Sequence, residues 1–283
     1  MTGKRISMGV ILRYIREHKL ITALAAVFAA AFPAGFACDR LLTTTFYELH
    51  TDKLGEGSLR IVNVSDLHNC KFGRDQKRLI NAVKKLSPDI IVMSGDIAAY
   101  AGNSENSRCF IRKASKLAPV YYTSGNHEHN HGESNFRRIS GLAAQAGARV
   151  LNDRAETLNV NENMINIIGV DDNSLYSDTL HRLLGTVDTG RYTVVIAHRP
   201  ELIHEYCSED ADAVYCGHAH GGQVRLPFIG GLFASTQGLF PKYTEGVFTE
   251  NNTSVIISRG VGNHVFLPRF FNLPEIVVTD ISK

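Results

Sequence analysis

The sequence predicts an α/β core of two packed sheets with outer helices, and three observations support this. Strands and helices alternate from residue 59 to about residue 146, and shorter β-rich hairpins follow. Five strands each deliver an Asp, Asn or His at their C-terminal ends. In open α/β sheets that edge is where sites are built.

Taken in order, residues 43–50 are β-rich, and Gly55-Glu56-Gly57-Ser58 turns the chain into a strand over 59–64. That strand runs directly into Ser65-Asp66-Leu67-His68-Asn69. Asp75 is the expected N-cap of a helix to Leu86, with Leu79, Ile80, Val83 and Leu86 on one face and Ser87-Pro88 as its stop. Residues 89–94 read as a buried strand ending in Gly95-Asp96. A helix over 104–117 leads to a strand at 120–123 ending in Ser124-Gly125-Asn126-His127-Glu128. Another helix covers 134–146. Shorter strands follow at 150–151, 157–160 and 164–170, the last two turned back by Asn161-Glu162-Asn163 as a hairpin. A short helix at 179–184 precedes a strand at 192–197 that ends in His198-Arg199-Pro200. A helix then leads to the run Ala213-Val214-Tyr215-Cys216 and Gly217-His218-Ala219-His220-Gly221. On a strand-like path His218 and His220 would face the same way. The tail is β again, at 224–226, 246–249, 254–258 and 276–280.

The composition, 44% hydrophobic and 20% charged, is that of an ordinary globular chain. The formal charge of +2 divides into +4 before residue 20 and −2 after it, so the folded part is near neutral and unsuited to nucleic acid. Residues 20–38 carry no charge, which is just long enough for a bilayer span of about 20 residues. The basic flank predicts residues 1–19 inside, a single-pass anchor at 20–38, and the remaining domain, 39–283, outside the cytoplasm, at the cell membrane. A cleaved signal peptide ending near Gly35-Phe36-Ala37 and a lipid-modified Cys38 are alternatives. Five cysteines with no CxxC pairing argue against a disulfide framework and a thiolate zinc site. A monomer is expected.

Asp66, His68, Asp96, Asn126, His127, His198, His218 and His220 stand at successive strand ends, and each alone has an ordinary explanation. Together they point to a site, because buried strands do not end in such groups without something to bind. Asp and Asn oxygens mixed with imidazoles, and no thiolates, suit two Mn, Fe or Zn ions. Two cations about 3.5–4 Å apart generate a nucleophile near neutral pH and neutralise a phosphoryl group. One further histidine then protonates the leaving oxygen.

In sequence order, Asp66-x-His68, Gly95-Asp96, Gly125-Asn126-His127-Glu128, His198 and Gly217-His218-x-His220 resemble the five-block signature of the calcineurin-like metallophosphoesterases. Ser65-Asp66-Leu67-His68, Phe72-Gly73, Pro88-Asp89-Ile90, His220-Gly221-Gly222-Gln223-x-Arg225, Ser258-Arg259-Gly260 and Pro274-Glu275 resemble its YkuE/YaeI-like branch. The resemblance implies a four-layer αββα sandwich. It implies Asp66, His68, Asp96 and His220 on one metal, and a bridging Asp96 with Asn126, His198 and His218 on the other. It also implies His127 as general acid, oriented by Asp66 or Glu128. His129 and His131 either line the substrate mouth or sit on a solvated loop. Arg225, Arg259 and Arg269 either bind phosphate oxygens or make ion pairs. Cys70 and Cys216 either approach the metals or pack. The apolar run from Phe228 to Phe240 is either a covering loop or an apolar lip that faces the bilayer or holds an acyl chain. The expected function is a dimetal phosphodiesterase or pyrophosphatase acting on an envelope or lipid-linked substrate through a metal-bound hydroxide. The alternatives are a non-enzymatic receptor for a phosphorylated lipid or wall polymer, and a soluble nucleotide phosphodiesterase with a cleaved N-terminal helix.

Overall fold

The computed structural model describes residues 38–98, 104–263, 265 and 267–283, with 18, 19, 21–23 and 35 before them. One six-stranded sheet runs in the order β1 (Thr43–His50), β16 (Glu275–Ser282), β2 (Ser58–Asn63), β3 (Ile90–Ser94), β4 (Val120–Thr123), β5 (Ala148–Val150). The other runs β14 (Gly246–Glu250), β15 (Thr253–Ile257), β9 (Ala213–Cys216), β8 (Thr193–Ile196), β7 (Asn163–Gly169), β6 (Arg154–Val160). Two short ribbons pair β10 (Arg225–Leu226) with β11 (Gly230–Gly231), and β12 (Phe233–Ala234) with β13 (Gly238–Leu239). The helices, in chain order, are α1 (Lys77–Leu86), α2 (Glu105–Ala114), α3 (Asn126–His129), α4 (Glu133–Gln145), α5 (Thr179–Leu184) and α6 (Ile203–Tyr206).

Strands β2 to β5 are mutually parallel, as are β7, β8, β9 and β15. Strands covered on both faces read as continuous apolar runs, which is why β3, β4, β8 and β9 are buried at every residue. Edge strand β1 instead alternates exposed and half-buried residues. Ile61, Val92 and Tyr121 of the first sheet join Ile167, Val194 and Tyr215 of the second in one buried cluster. Helices α1, α2 and α4 cover the outer face of the first sheet through Leu79, Phe110 and Ile139. Helices α5 and α6 cover that of the second through Leu180, Ile203 and Tyr206. Truncating Ile167 to Ala leaves a void between the sheets. It should lower unfolding stability by about 2–5 kcal/mol, read as a fall in urea midpoint without a change in its slope.

Local details depart from expectation. Asp75 does not cap α1: it sits at φ 52°, and the helix begins at Lys77 after Gln76. Gln76 braces the preceding loop, its Oε1 accepting from Phe72 N at 2.6 Å and its Nε2 donating to Cys70 O at 2.7 Å. In the β6–β7 hairpin Val160 pairs with Asn163, leaving a two-residue turn of Asn161 and Glu162, both at positive φ. The chain before β9 holds only a 3₁₀ turn and one turn of α-helix, α6. The single-pass assignment at the cell membrane, with its extracytoplasmic catalytic domain, is corrected. Among the described residues no helix is long and apolar enough to cross a membrane. Most of 20–38 lies outside those residues.

Candidate metal centre

The site stands where the C-terminal ends of parallel strands from both sheets meet. Strand β2 leads to Asp66 and His68, β3 to Asp96, β4 to Asn126 and His127, β8 to His198, and β9 to His218 and His220. The connections interlock through backbone bonds: Asp66 N donates to Gly95 O, and His68 N to Asp96 O, at 3.1 and 3.0 Å. Beyond β9 the chain leaves strand geometry. His218 and His220 lie at φ 64° and 48°, so left-handed backbone, not strand alternation, delivers both rings. Asp66, His68 and Asp96 are also left-handed. Such conformations cost about 1–3 kcal/mol each for non-glycine residues and gather at functional sites. Gly125 opens α3, a helical turn that holds Asn126 and His127, where sequence reading expected only a strand end.

The ligand atoms converge closely. Asp66 Oδ1 lies 3.5 Å from His220 Nε2, which is 3.0 Å from His68 Nε2. Asp96 Oδ2 lies 3.2 Å from His198 Nε2, and 3.9 Å from both His68 Nε2 and His127 Nε2. Asn126 Oδ1 and His218 Nδ1 are each 3.2 Å from His198 Nε2. All but the half-buried Asn126 are buried. Asp66 with His68 and His220, and Asp96 with His198 and His218, have the spacing of cation ligands, and a third grouping joins His68, Asp96 and His127.

The donor chemistry fits a cation. His198 Nδ1 donates to Ser94 O at 2.8 Å, which directs the Nε2 lone pair at Asp96 Oδ2 and Asn126 Oδ1, both of them acceptors. Burial lowers the basicity of His198, yet Asp96 overrides it and pushes the imidazole up to about 10, so the geometry calls for positive charge at this point. Burial and His198 push His218 down to about 3, keeping it neutral with a lone pair to give. Burial raises Asp66. Burial would raise Asp96 too, but His198, His68 and His127 outweigh it and hold that carboxyl well below its usual range. Among the described residues, the buried Oδ2 of Asp66 has no hydrogen-bond partner within 3.5 Å.

Close backbone approach makes this possible. A Cβ on Gly217 would stand 2.3 Å from Asp66 Oδ2, and one on Gly95, at φ +90°, 2.4 Å from His198 Nδ1. Gly95→Ala should therefore cost at least about 1 kcal/mol of stability and displace the His198 ring, seen as a lower melting temperature together with lost metal content.

The other candidate residues make contacts of their own. Burial and Asp96 raise Glu128, whose carboxylate accepts from the backbone N–H groups of Asp96, Ala98 and Gly125, tying two ligand loops together. His127 is placed through its own N–H, which donates to Asp96 Oδ1 at 2.8 Å. His129 is held by Asp171 at 2.9 Å and stacks on Phe136, and His131 is exposed on the next loop. Arg225 pairs with Glu245 and Gly221 O, and Arg259 with Glu275 and Glu245. Arg269 is fully buried, its Nη2 3.0 Å from His220 Nδ1. None of the three arginines lines the cavity beside the ligands. Cys70 bonds Asn263, and Cys216 belongs to the apolar cluster under α6. Sequence reading missed Asn272, which donates to His220 O at 2.7 Å, and Ser235, 3.2 Å from His218 Nε2. No local motif marks either one.

The calcineurin-like phosphoesterase family matches residues 59–222, the stretch that holds every candidate ligand. The chain belongs to this family. It is a phosphoric ester hydrolase, and the family uses divalent metals. This calcineurin-like phosphoesterase is 26% identical over 279 residues to the uncharacterized metallophosphoesterase YkuE of Bacillus subtilis, covering 96% of this chain and 88% of YkuE. It is 25% identical over 279 residues to the phosphodiesterase YaeI of Escherichia coli, covering 94% and 99%. It is 27% identical over 270 residues to the UDP-2,3-diacylglucosamine pyrophosphatase LpxG of Chlamydia trachomatis, covering 77% and 82%.

Proposed function

We propose that this phosphoesterase hydrolyses a P–O bond of a phosphodiester or pyrophosphate, using two divalent cations (Mn, Fe or Zn). Asp66, His68, Asp96 and His220 hold one, and Asp96, Asn126, His198 and His218 the other. When bound, such a pair supplies Lewis-acid polarisation of a phosphoryl oxygen and a nucleophile at neutral pH. The chain's own residues do the rest. Water oxygen attacks phosphorus and gives up a proton to solvent, the bond to the leaving oxygen breaks, and His127 Nε2 gives its proton to that oxygen and regains one from solvent. The products of a diester are a phosphomonoester and an alcohol. His127 faces the cavity beside the ligands, as that role requires.

The observation that carries the reading is His198. Its Nδ1 is committed to Ser94 O, and its Nε2 stands among Asp96, Asn126 and His218. A diester is favoured over a monoester because, among the described residues, no lysine or arginine lines this cavity to meet a dianion. The names of YaeI, a phosphodiesterase, and LpxG, a pyrophosphatase of a diacylated nucleotide sugar, agree with a diester-type bond and with a lipid-linked substrate. Turnover of bis(p-nitrophenyl) phosphate against p-nitrophenyl phosphate by the metal-loaded protein tests the preference. The diester should be the better substrate by kcat/KM, and a clear monoester preference would overturn it.

A further inference from the structure

The cavity that reaches the candidate metal centre, about 520 Å³, is polar chiefly at one end. Asp96, Asn126, His127, His218 and His220 close that end. The walls leading away from it are Val224, Leu232, Phe233, Ala234, Val265 and Leu267. Among the described residues two other polar side chains line it: Gln223, whose Nε2 donates to Leu267 O, and Ser235, whose Oγ lies 3.2 Å from His218 Nε2. Phe233, Val265 and Leu267 are 51%, 41% and 41% exposed at its mouth. The apolar wall continues outward, because Phe233 pairs with Leu239 across the β12–β13 ribbon and Leu239 is 74% exposed. From the earlier apolar run, Leu232 and Phe233 reach this cavity, while Phe228 and Ile229 line a separate hollow.

A chamber with ligands for a phosphoryl group at one end and hydrocarbon along its length selects a particular substrate shape. A nucleobase or sugar placed there would meet, among the described residues, only Gln223 and Ser235 as polar side chains along the walls, and would leave most of its donors and acceptors without partners. A second anionic group remote from the cations would meet no cationic side chain among the described residues. An alkyl chain attached to the phosphoryl group meets neither penalty, and its burial covers the apolar surface at the mouth. We propose that this cavity seats a long alkyl or acyl chain, so that the substrates are amphiphilic phosphodiesters or pyrophosphates whose chain lies between the β12–β13 ribbon and the side chains of Val265 and Leu267. This rests on the phosphoester reading above and specifies the substrate for the same site.

The test is a homologous series of p-nitrophenyl alkyl phosphodiesters, methyl to octyl, each below its micellar concentration, with the metal-loaded full chain. kcat/KM should rise by up to about fourfold per added methylene. The slope should flatten in Leu232→Gln and Leu267→Gln, whose melting temperatures check folding. A flat series with the methyl diester still cleaved would overturn the chain assignment and leave the phosphodiesterase reading standing. So would preference for thymidine p-nitrophenyl phosphate over the octyl ester. Should no member be cleaved, the phosphodiesterase reading fails. Calorimetric titration with methyl-, butyl- and octylphosphonate then decides the cavity independently: affinity that grows with chain length upholds the assignment, and absent or length-independent binding overturns it.

Discussion

Replacing Asp96 by Asn lowers kcat for diester hydrolysis by more than about 100-fold and leaves the protein short of metal. Substitutions of groups that merely orient a ligand cost about 10–100-fold in affinity or activity, and a ligand shared between two cations exceeds that range. In the proposed arrangement Asp96 has this position: its Oδ2 lies between His198 Nε2 at 3.2 Å and His68 Nε2 at 3.9 Å, one from each ligand group. Asparagine keeps the size and one acceptor but removes the charge that three surrounding histidines are arranged to meet. The backbone bond from His127 N to Oδ1 can survive on the amide oxygen of the replacement side chain, so the fold should hold. Metal analysis and circular dichroism on the variant, with kinetics, check all parts of the expectation. Near-normal turnover would mean that Asp96 is not the shared ligand.

Replacing His127 by Ala has a different signature, since it removes the proposed proton donor and leaves the proposed ligands in place. General acid catalysis is worth about 10²–10⁴-fold, and only where the leaving oxygen needs a proton. The loss should therefore be large for an alkyl leaving group and much smaller for p-nitrophenolate, at unchanged metal content. Equal losses on both substrates would remove the general-acid role. A fall in metal content would instead make His127 a ligand, as its grouping with His68 and Asp96 allows geometrically.

The residues that meet at the centre were legible because apolar runs of four to six residues mark strands, and polar side chains immediately after such runs stand out. That pattern placed Asp66, Asp96, Asn126 and His198 at strand ends, and the two sheets carry them there. The local path was less legible. Left-handed backbone at His218 and His220, and the helical turn at Asn126, arise from tertiary constraint at a site where strain is tolerated. The arginines were ambiguous for another reason: guanidinium suits a phosphate and a carboxylate equally well, and Glu245 and Glu275 reach Arg225 and Arg259 from a distance in sequence. Asn272 reaches His220 O, and Arg269 its ring, from some 50 residues away, in a loop with no periodic pattern to betray either. The uncharged stretch at 20–38 suggested an anchor by length and flanking charge alone, and that expectation was corrected.

The central claim is that the two ligand groups hold catalytic divalent cations. It is tested most directly by following bis(p-nitrophenyl) phosphate hydrolysis while metal is removed and returned, with elemental analysis on the same samples. The expected result is about two cations per chain, loss of turnover on exhaustive chelation, and recovery with added Mn²⁺, Fe²⁺ or Zn²⁺. Full turnover by protein stripped of metal would contradict it.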